Sequence, residues 1–461
     1  MAWEHKMFRS FSKIHLELPR VGGWPFIKDP IHGEITFEGP SFWLYALLNT
    51  VEFQRLGEIS QLGLLKENFP GATHTRLSHS LGVYALTSKF INHFLSLGDL
   101  NLTEDQLEID LCLSVALLHD IGHGPFSHFF EKFLPEFSHE YMTRQLILNK
   151  NSKLYELLAE RSRVYGKEDN FFPEEIVKIL SKKSGREWIE ELIASKIDVD
   201  RLDYLLRDKY FCGSFTLSID TNLIIKWTRL LRLQGKRKLC FLEKTNYQRC
   251  SLLLSRDYMH KEIYGNLSAC SYQVMLLAIL RELKKIFNSR FRGNSFYDLF
   301  LPLFFEEPVN WKISEFMKLS DYSLLARINE LFLELEKNSD GAEQLYSLLL
   351  LFKGYSGESQ HVLLRMKTEE LESFNKFTKK GSSELDKEIV IITEIFSLIA
   401  EIDEINRTQT LDYLDWESKE FKTLELVLPA VNNKTTHFVL ITKQLNKQWI
   451  KFRVKSDKTI G

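Results

Sequence analysis

Along most of the chain, hydrophobic residues recur every three or four positions, which is the spacing of an amphipathic α-helix. In the first such stretch Leu44, Leu47, Leu48 and Val51 follow this spacing, and they predict a helix over residues 41–65. The stretch that ends at residue 119 is apolar on nearly all sides, which predicts a central buried helix. Further helical stretches are predicted over residues 76–97, 138–165, 173–207, 247–288 and 311–405.

Three parts of the chain depart from this helical spacing. Residues 22–40 are rich in glycine and proline, and they predict a loop with a short hairpin. Residues 230–243 predict a β-hairpin that turns at Gln234 and Gly235. Residues 422–455 alternate apolar and polar positions and contain asparagine-rich turns, which predicts a small antiparallel sheet. The predicted fold class is therefore mainly α, with a small β-hairpin insert and a small C-terminal antiparallel sheet.

Composition and charge exclude several classes of protein. The 461 residues are 44% hydrophobic and 26% charged, which is typical of a globular protein, and the formal net charge is −2. That balance gives no global basic field for nucleic acid or for an anionic membrane, so phosphate would have to be bound by local charge or a metal. The five cysteines form no C-x-x-C pair, which predicts reduced thiols. With no apolar leader at the N-terminus and no stretch of about 18 apolar residues, we expect a cytoplasmic protein without a membrane partner.

One basic run, residues 226–238, leaves nucleic-acid binding open as an alternative. No row of aromatic residues accompanies the run, although stacking aromatics are typical of surfaces that bind single strands. We therefore interpret it as a solvated hairpin.

The residues that can carry chemistry cluster in three segments, 76–82, 119–128 and 198–208. In the second segment an apolar helix ends in adjacent His119 and Asp120, followed by His123 and His128. A buried carboxylate without a partner is costly, and a divalent cation would neutralise it while accepting neutral imidazoles as ligands. A simpler alternative is that these histidines are core residues satisfied by hydrogen bonds. So dense a cluster, with a further histidine upstream and an acidic cluster downstream, favours the metal site.

Several motifs in a fixed order resemble the HD-domain deoxynucleoside triphosphate triphosphohydrolases over about residues 24–290. The resemblance is carried by residues 29–33, 53–56, 61–63, 69–72, 75–83, 119–128 and 198–208, and later by Arg256, Tyr258, Met259, Ile263 and Tyr264. It implies an HD-type helical catalytic domain over residues 24–300, preceded by an N-terminal segment over 1–23. Glycine and prolines that interrupt the helical spacing over 293–310 place the boundary, and the helical region that ends in the small sheet, over 301–461, has no residue-level match to the family.

The resemblance implies a single divalent metal held by His79, His119, Asp120 and Asp200. Asp198 stands two residues before the last ligand and is treated as its neighbour. A mixed shell of imidazole and carboxylate suits Mn, Fe, Co, Ni or Zn, with Mg as a further candidate. The implied reaction is attack of water on the α-phosphorus of a dNTP, which releases a deoxynucleoside and inorganic triphosphate.

The resemblance also implies the groups around the metal. His128 would be the general acid that protonates the leaving 5′-oxygen, and Glu131 would orient a histidine. His123 and His139 match two further active-site histidines of the family. The implied substrate-binding residues are Arg76, Arg201 and Arg256 for phosphate, and Gln61, Leu62, Tyr204, Asp208, His260 and Tyr264 for the sugar. For the tyrosines and Leu62 core packing stays an alternative, as do ion pairs on a helix surface for Arg201 and Arg207.

The sequence departs from the family where a human member binds its GTP activator. Asn49 and Gly57 stand where that member has an aspartate and an arginine, so activation in the same manner is not expected. A nucleotide activator of another kind and a homo-oligomer, dimer or tetramer, are expected from the family alone. Two other functions remain open: a different HD phosphohydrolase, such as a nucleotidase or phosphodiesterase, and a nucleotide-sensing or nucleic-acid-binding protein that kept the pocket.

Overall fold

The computed structural model describes residues 26–215, 218–291, 293–294, 298–354, 361–380, 389–394, 408–415, 418, 420–427, 436–442 and 446. Within them the helices are α1 Val51–Gln54, α2 Arg76–Ser96, α3 Gln106–Leu118, α4 His128–Phe133, α5 His139–Ile147, α6 Lys153–Val164, α7 Phe171–Leu180, α8 Glu187–Ile193, α9 Val199–Cys212, α10 Thr221–Lys226, α11 Asn246–Met259, α12 Leu267–Arg290, α13 Phe300–Phe305, α14 Ile313–Phe316, α15 Asp321–Lys337, α16 Glu343–Phe352 and α17 Thr368–Lys380. The strands are β1 Phe26–Asp29, β2 Gly33–Thr36, β3 Thr228–Leu233, β4 Lys236–Phe241, β5 His361–Lys367, β6 Ile389–Glu394, β7 Thr408–Leu414, β8 Phe421–Val427 and β9 Thr436–Thr442.

The stretch from residue 41 to 65 differs from the single helix that its spacing predicts. It forms successive short 3₁₀ segments, Gly39–Asn49, Arg55–Glu58 and Gly63–Glu67, around the one-turn helix α1. A repeat of three residues per turn buries apolar positions three apart as well as an α-helix does, so the spacing alone did not distinguish the two. The prediction of a regular helix here is wrong.

The centre of the molecule is the pair of helices α2 and α3, which pack against each other. Every side chain of α3 from Ile109 to Leu118 is buried, as its uniformly apolar sequence predicts. Helix α9 packs across α2 on another side. These contacts bring the N-terminal turn of α2, the C-terminal end of α3 and the first turns of α9 together at one place.

The predicted hairpin β3–β4 is confirmed, with its turn at Gln234 and Gly235, both of which have positive φ. Positive φ at both central residues is the geometry of the tight turn that suits the twist of paired strands. Within the basic run, Arg229 pairs with Asp99 at 2.6 Å, and Arg237 contacts Asp105 at 2.6 Å. These ion pairs neutralise part of the run inside the molecule, which favours the hairpin interpretation over nucleic-acid binding.

Helices beyond residue 300 share the core of the preceding region. Phe300, Leu303, Leu331 and Leu349 belong to the same cluster of buried side chains as the residues of α2 and α3. The predicted long helix over 247–288 is divided by a π-helical turn at His260–Tyr264, after which Asn266 caps α12.

The C-terminal strands form more than one antiparallel sheet. β9 is central in a three-stranded sheet between β5 and β6, while β7 pairs with β8. Strands were not predicted at β5 and β6, inside the region expected to be helical, because their partner β9 lies 42 or more residues further along the chain. The end of the stretch predicted as a sheet, residues 447–455, lies outside the described residues. The prediction of a mainly α fold with small antiparallel sheets is confirmed.

Among the residues that the structure describes, no single helix is long and apolar enough to cross a membrane, although the bent pair Glu243–Tyr264 and Leu267–Arg290 meets that test of length and composition. All five cysteines are described, and none is in a disulfide, as predicted.

Candidate metal centre and active site

Four side chains predicted as metal ligands converge where α2, α3 and α9 meet. His79 comes from the first turn of α2, His119 and Asp120 follow the end of α3, and Asp200 lies in the first turn of α9. His79 Nε2 lies 3.0 Å from Asp200 Oδ1 and 3.7 Å from Asp120 Oδ2. His119 Nε2 lies 3.5 Å from Asp120 Oδ1 and 3.9 Å from Asp200 Oδ1. The structure thus brings all four predicted ligands together.

The two imidazoles are oriented as metal ligands would be. His79 Nδ1 bonds Asp203 Oδ2 at 2.8 Å and His119 Nδ1 bonds the carbonyl of Ala116 at 3.0 Å, so each ring directs Nε2 toward the carboxylates. Both Nε2 atoms are buried: that of His119 has no hydrogen-bond partner, and that of His79 faces Asp200 Oδ1 at 3.0 Å. The two rings are nearly perpendicular, at 74°. A partner on the far nitrogen is what fixes the tautomer of a ligating histidine. The residues present therefore fit a divalent metal.

Electrostatics at this cluster also favour a cation. Burial would raise the pKa of Asp120, but the charges of His119, Arg76 and His123 outweigh burial and hold it well below its usual value. Burial would lower the pKa of His79, yet bonds to Asp200 and Asp203 raise it to about 10. Two ionised carboxylates facing two imidazoles thus attract positive charge, which a metal would supply in place of a proton.

Asp203 is a residue that the sequence analysis did not assign to the site. Its carboxylate accepts hydrogen bonds from His32 Nε2 at 2.6 Å, His79 Nδ1 at 2.8 Å, and both Nε and Nη2 of Arg207 at 2.9 Å. Burial would raise the pKa of Asp203, but these donors outweigh burial and lower it far below its usual value. A third acid three residues after Asp200 on the same helix was a visible signal, but its partner His32 is 171 residues away in sequence.

The predicted catalytic histidines lie beside the four ligands. Glu131 accepts bonds from His139 Nδ1 at 2.7 Å and His128 Nδ1 at 3.1 Å, as expected of a carboxylate that orients histidines. Burial would lower the pKa of His139, but the bond and charge of Glu131 outweigh it and raise the pKa. For buried His123, burial and the charge of Arg76 lower the pKa well below its usual value.

His123, His128 and His139 are close enough to one another to suggest a second metal site, but their orientation argues against one. The rings of His123 and His139 are stacked, with centroids 4.0 Å apart and planes within 11°. Imidazole lone pairs lie in the ring plane, so two stacked rings do not direct them at a common ion. By contrast, the rings of His79 and His119 are at 74° to each other, so their lone pairs can be directed at one ion.

The three predicted phosphate-binding arginines have different surroundings. Arg76 is buried and donates to Asp120 Oδ2 at 2.7 Å and to Ser127 Oγ at 2.9 Å. Arg201 bonds Asp198 and the carbonyl of Ser195, so its guanidinium belongs to the start of α9. Arg256 is half-buried on α11, where its positive charge acts on the Tyr204 hydroxyl. Arg201 and Arg207 both form intramolecular ion pairs, with Asp198 and Asp203 respectively, but the Arg207 guanidinium is buried and does not lie on a helix surface as its alternative expects.

Three of the predicted sugar-binding residues, Asp208, Tyr264 and His260, contact one another in turn. Asp208 Oδ1 bonds His74 Nε2 at 2.7 Å, and Oδ2 accepts the hydroxyl of Tyr264 at 2.6 Å. Tyr264 in turn has its ring edge against His260, with centroids 5.1 Å apart. Gln61 is buried and its Oε1 has no hydrogen-bond partner, and its backbone N–H bonds the carbonyl of His74. His74 was not predicted. It stands in a loop, and nothing in the sequence indicates that it reaches Asp208.

Comparison with known proteins accounts for this arrangement. The model of the HD domain family matches residues 76–208, the segment that carries all four converging ligands. An uncharacterized protein of Mycoplasma pneumoniae is 32% identical over 311 residues, which cover 64% of this chain and 70% of that protein. The chain belongs to the HD-domain family. The HD-type domain of the sequence-based prediction is thereby confirmed.

The chain spans less than half the length of a relative with a named activity, and it shares its fold with a solved structure. The bovine deoxynucleoside triphosphate triphosphohydrolase SAMHD1 (Bos taurus) is 32% identical over 268 residues, which are 52% of this chain and 44% of that protein. The crystal structure of a phosphohydrolase from Bacteroides thetaiotaomicron superposes with a TM-score of 0.67 over 91% of this chain and 100% of that one, at 22% identity. That similarity shows the shared fold.

Proposed function

We propose that the chain is a metal-dependent dNTP triphosphohydrolase that releases deoxynucleoside and inorganic triphosphate. The observation that carries the proposal is that one face of α9 presents Asp200, Tyr204 and Asp208 four residues apart. At 1.5 Å rise per residue, neighbouring positions of the three are about 6 Å apart along the helix, and Asp200 and Asp208 are about 12 Å apart. A nucleotide can span that distance between the candidate metal ligand and the Asp208 cluster. The identity with a relative named as a dNTP triphosphohydrolase supports the same substrate class.

In this proposal His79, His119, Asp120 and Asp200 hold one divalent metal, of which Mn²⁺ is the first to test. A metal in such a mixed shell lowers the pKa of water and polarises phosphoryl oxygens. Arg76 donates to Asp120 and keeps that carboxylate ionised. The chain's own contribution is therefore an ionised, pre-oriented set of ligands.

The proposed general acid is His128. Its Nδ1 is held by Glu131, which leaves Nε2 to deliver a proton to the leaving 5′-oxygen. Its side chain is 61% exposed, in contrast to the buried His123, so it can reach a substrate that enters from solvent. Glu131 also bonds the ring and the backbone N–H of His139, and the one carboxylate thus orients both histidines.

Selection of a deoxyribose is proposed to come from Leu62, Tyr204, Asp208 and Tyr264. Both carboxylate oxygens of Asp208 already accept one hydrogen bond each, but each has a second lone pair with which to accept a 3′-hydroxyl. The apolar side chain of Leu62 and the ring of Tyr264 would leave a 2′-hydroxyl without a partner. A pocket of this kind penalises ribose, because an unpaired buried hydroxyl is costly.

The test is to incubate the purified full chain with each dNTP and Mn²⁺, alone and in pairs, and to identify the products. Inorganic triphosphate and deoxynucleoside are expected, and an Asp200→Ala variant should bind nucleotide but release no product. Pairs of dNTPs test whether one nucleotide activates hydrolysis of another. Orthophosphate from mononucleotides, or cleavage of a phosphodiester, would instead identify a different HD phosphohydrolase, and binding without any turnover would identify a sensor.

A further inference from the structure

Asp321, the first residue of α15, reaches into the active site from outside the segment that the HD-domain model matches. Its side chain is 1% exposed. Oδ1 accepts the backbone N–H of Phe126 at 2.6 Å, and Oδ2 accepts the backbone N–H of Ser60 at 3.0 Å. One carboxylate therefore joins two chain segments that are 66 residues apart in sequence and belong to different parts of the site.

Both segments carry groups of the proposed site. Ser60 immediately precedes Gln61 and Leu62 of the sugar pocket, and Phe126 stands two residues before His128. The segments also contact each other directly, because Ser127 Oγ donates to the carbonyl of Ser60 at 2.6 Å. Arg76 Nε donates to the same Ser127 oxygen, which links the pair to the metal ligands.

The backbone of the second segment needs such support. Phe126 has φ of 59° and Ser127 has φ of 57°, in the left-handed region that residues other than glycine seldom adopt. Two consecutive residues in this region persist only when the surrounding structure holds them. The bond from Phe126 N–H to Asp321 lies at this point and, with the packing of buried Phe126, holds the peptide in its unusual orientation.

A second set of contacts, made by Arg55, also joins the residues just before α15 to the segment that precedes His128. Arg55 is buried and donates from Nη1 to the carbonyl of His123 at 2.8 Å and from Nε to the carbonyl of Leu319 at 2.9 Å. Its guanidinium lies 4.3 Å from the ring centroid of Phe316. The start of α15 and the residues before it are thus attached to both ends of the segment 123–126.

We propose that Asp321 is a positioning residue of the active site, which fixes the segment bearing His128 relative to the segment bearing Gln61 and Leu62. The role assigned to His128 rests on the proposed function, whereas the contacts of Asp321 do not. A region beyond residue 300 would then set the geometry of catalysis without touching the substrate.

Three variants separate positioning from general destabilisation. Asp321→Ala removes both hydrogen bonds, and Asp321→Asn keeps one acceptor but turns an amide N–H toward the other donor. Leu335→Ala is the matched control, because it removes a buried side chain of the same helix 14 residues, or about 21 Å along the axis, from Asp321. The activities of the variants should be compared at equal protein concentration and at a temperature below the unfolding midpoint of the least stable variant.

The first readout is the split between kcat and KM for the best dNTP. A displacement of about 1 Å in a catalytic group can cost about 10²-fold in rate. We expect kcat to fall by roughly that factor in Asp321→Ala and less in Asp321→Asn, while KM changes little and Leu335→Ala keeps the kcat of the parent. An unchanged kcat in Asp321→Ala, or an equal loss in Leu335→Ala, would overturn the proposal.

The second readout does not require activity. Hydrogen exchange of backbone amides in peptides spanning residues 58–64 and 124–130 should become faster in both Asp321 variants than in Leu335→Ala, at equal thermal stability. If the parent chain turned over no dNTP, the proposed function would fail, yet this exchange measurement would still decide whether Asp321 holds the two segments. Exchange no faster than in the control would show that it does not.

Discussion

At the scale of single residues, Asp203 shows how a carboxylate that need not touch the metal prepares the site. It bonds Nδ1 of His79, which commits the opposite nitrogen to the candidate metal, and it pairs with the buried guanidinium of Arg207. A carboxylate in this position holds the ring and increases the basicity of the ligand. The charge of Asp203, and not only its shape, is therefore part of the site.

We predict that Asp203→Asn lowers the affinity for Mn²⁺ by about 10–100-fold, the usual cost of losing such a partner. The side-chain amide of the asparagine would direct its NH₂ group, a donor, toward His32, His79 or Arg207, which all donate to Asp203 in the parent chain. Calorimetric titration of the metal-free chain with Mn²⁺ measures the effect. Asp29→Asn is the control, because Asp29 bonds the same Arg207 at 2.7 Å but does not touch His79. Equal losses of affinity in the two variants would show that Asp203 acts only through general stability.

The residues that the sequence could predict are those whose chemistry is visible in a local motif. His119 and Asp120 are an adjacent histidine and acid at the end of an apolar helix. The resemblance to the family adds His79 and Asp200 as ligands, and the structure brings the four together. His74, Asp203 and Asp321 are equally close to the site, but their importance follows from partners more than 120 residues away in sequence. Nothing local distinguishes His74 and Asp321 from ordinary polar residues in a loop or on a helix, and the local signal for Asp203 is only that it is a third acid in its segment.

At the scale of elements, the site depends on how closely α2 approaches α9. Gly82 lies where the two helices meet, and a Cβ there would be 1.9 Å from Asp203 Oδ1 and 2.3 Å from Arg207 Nη2. The absent side chain is what allows Asp203 and Arg207 to pair beneath His79. The helices are thus packed around an ion pair, and the glycine sets their separation.

We predict that Gly82→Ala destabilises the chain by about 1–3 kcal/mol or more, the range for overpacking a buried position. It should also weaken metal binding, because the displaced Asp203 no longer orients His79. Urea unfolding and metal titration measure the two effects. Gly57→Ala serves as the control, since its Cβ would meet only Leu77 Cδ1 at 3.6 Å, an ordinary contact. A Gly82→Ala chain as stable as the Gly57→Ala chain would contradict the close packing.

Elements were predictable where the local pattern admits one answer. The hairpin β3–β4 has a glycine in its turn and alternating strands, and both its position and its turn are confirmed. The stretch 41–65 was predicted as the wrong kind of helix, because a spacing of three residues fits both a 3₁₀-helix and an α-helix. The strands β5 and β6 were missed, because short apolar runs fit either a helix or a strand. What decided them was packing against partners distant in sequence.

At the scale of the whole molecule, the helices after residue 300 complete the core of the HD region. Trp311 packs on Phe137, with ring centroids 5.9 Å apart, and Phe304 packs on Phe287 at 5.7 Å. Phe316 lies against both Phe137 and Arg55. These contacts place the region 300–321 directly behind the segment that carries the proposed catalytic histidines.

This continuity predicts that a chain ending at residue 298 does not fold, whereas one ending at residue 354 does. Removing Phe304, Trp311 and Phe316 exposes their partners, and truncation of one buried aromatic side chain typically costs about 3–5 kcal/mol. Three such losses reach roughly 9–15 kcal/mol, as large as the whole stability of an ordinary domain. Thermal unfolding followed by circular dichroism should show one cooperative transition and bound Mn²⁺ for the chain 1–354, and neither for the chain 1–298. If the shorter chain unfolded cooperatively and bound the metal, the HD region would fold without the helices beyond residue 300. The site would then not depend on the contacts of Asp321 for its structure.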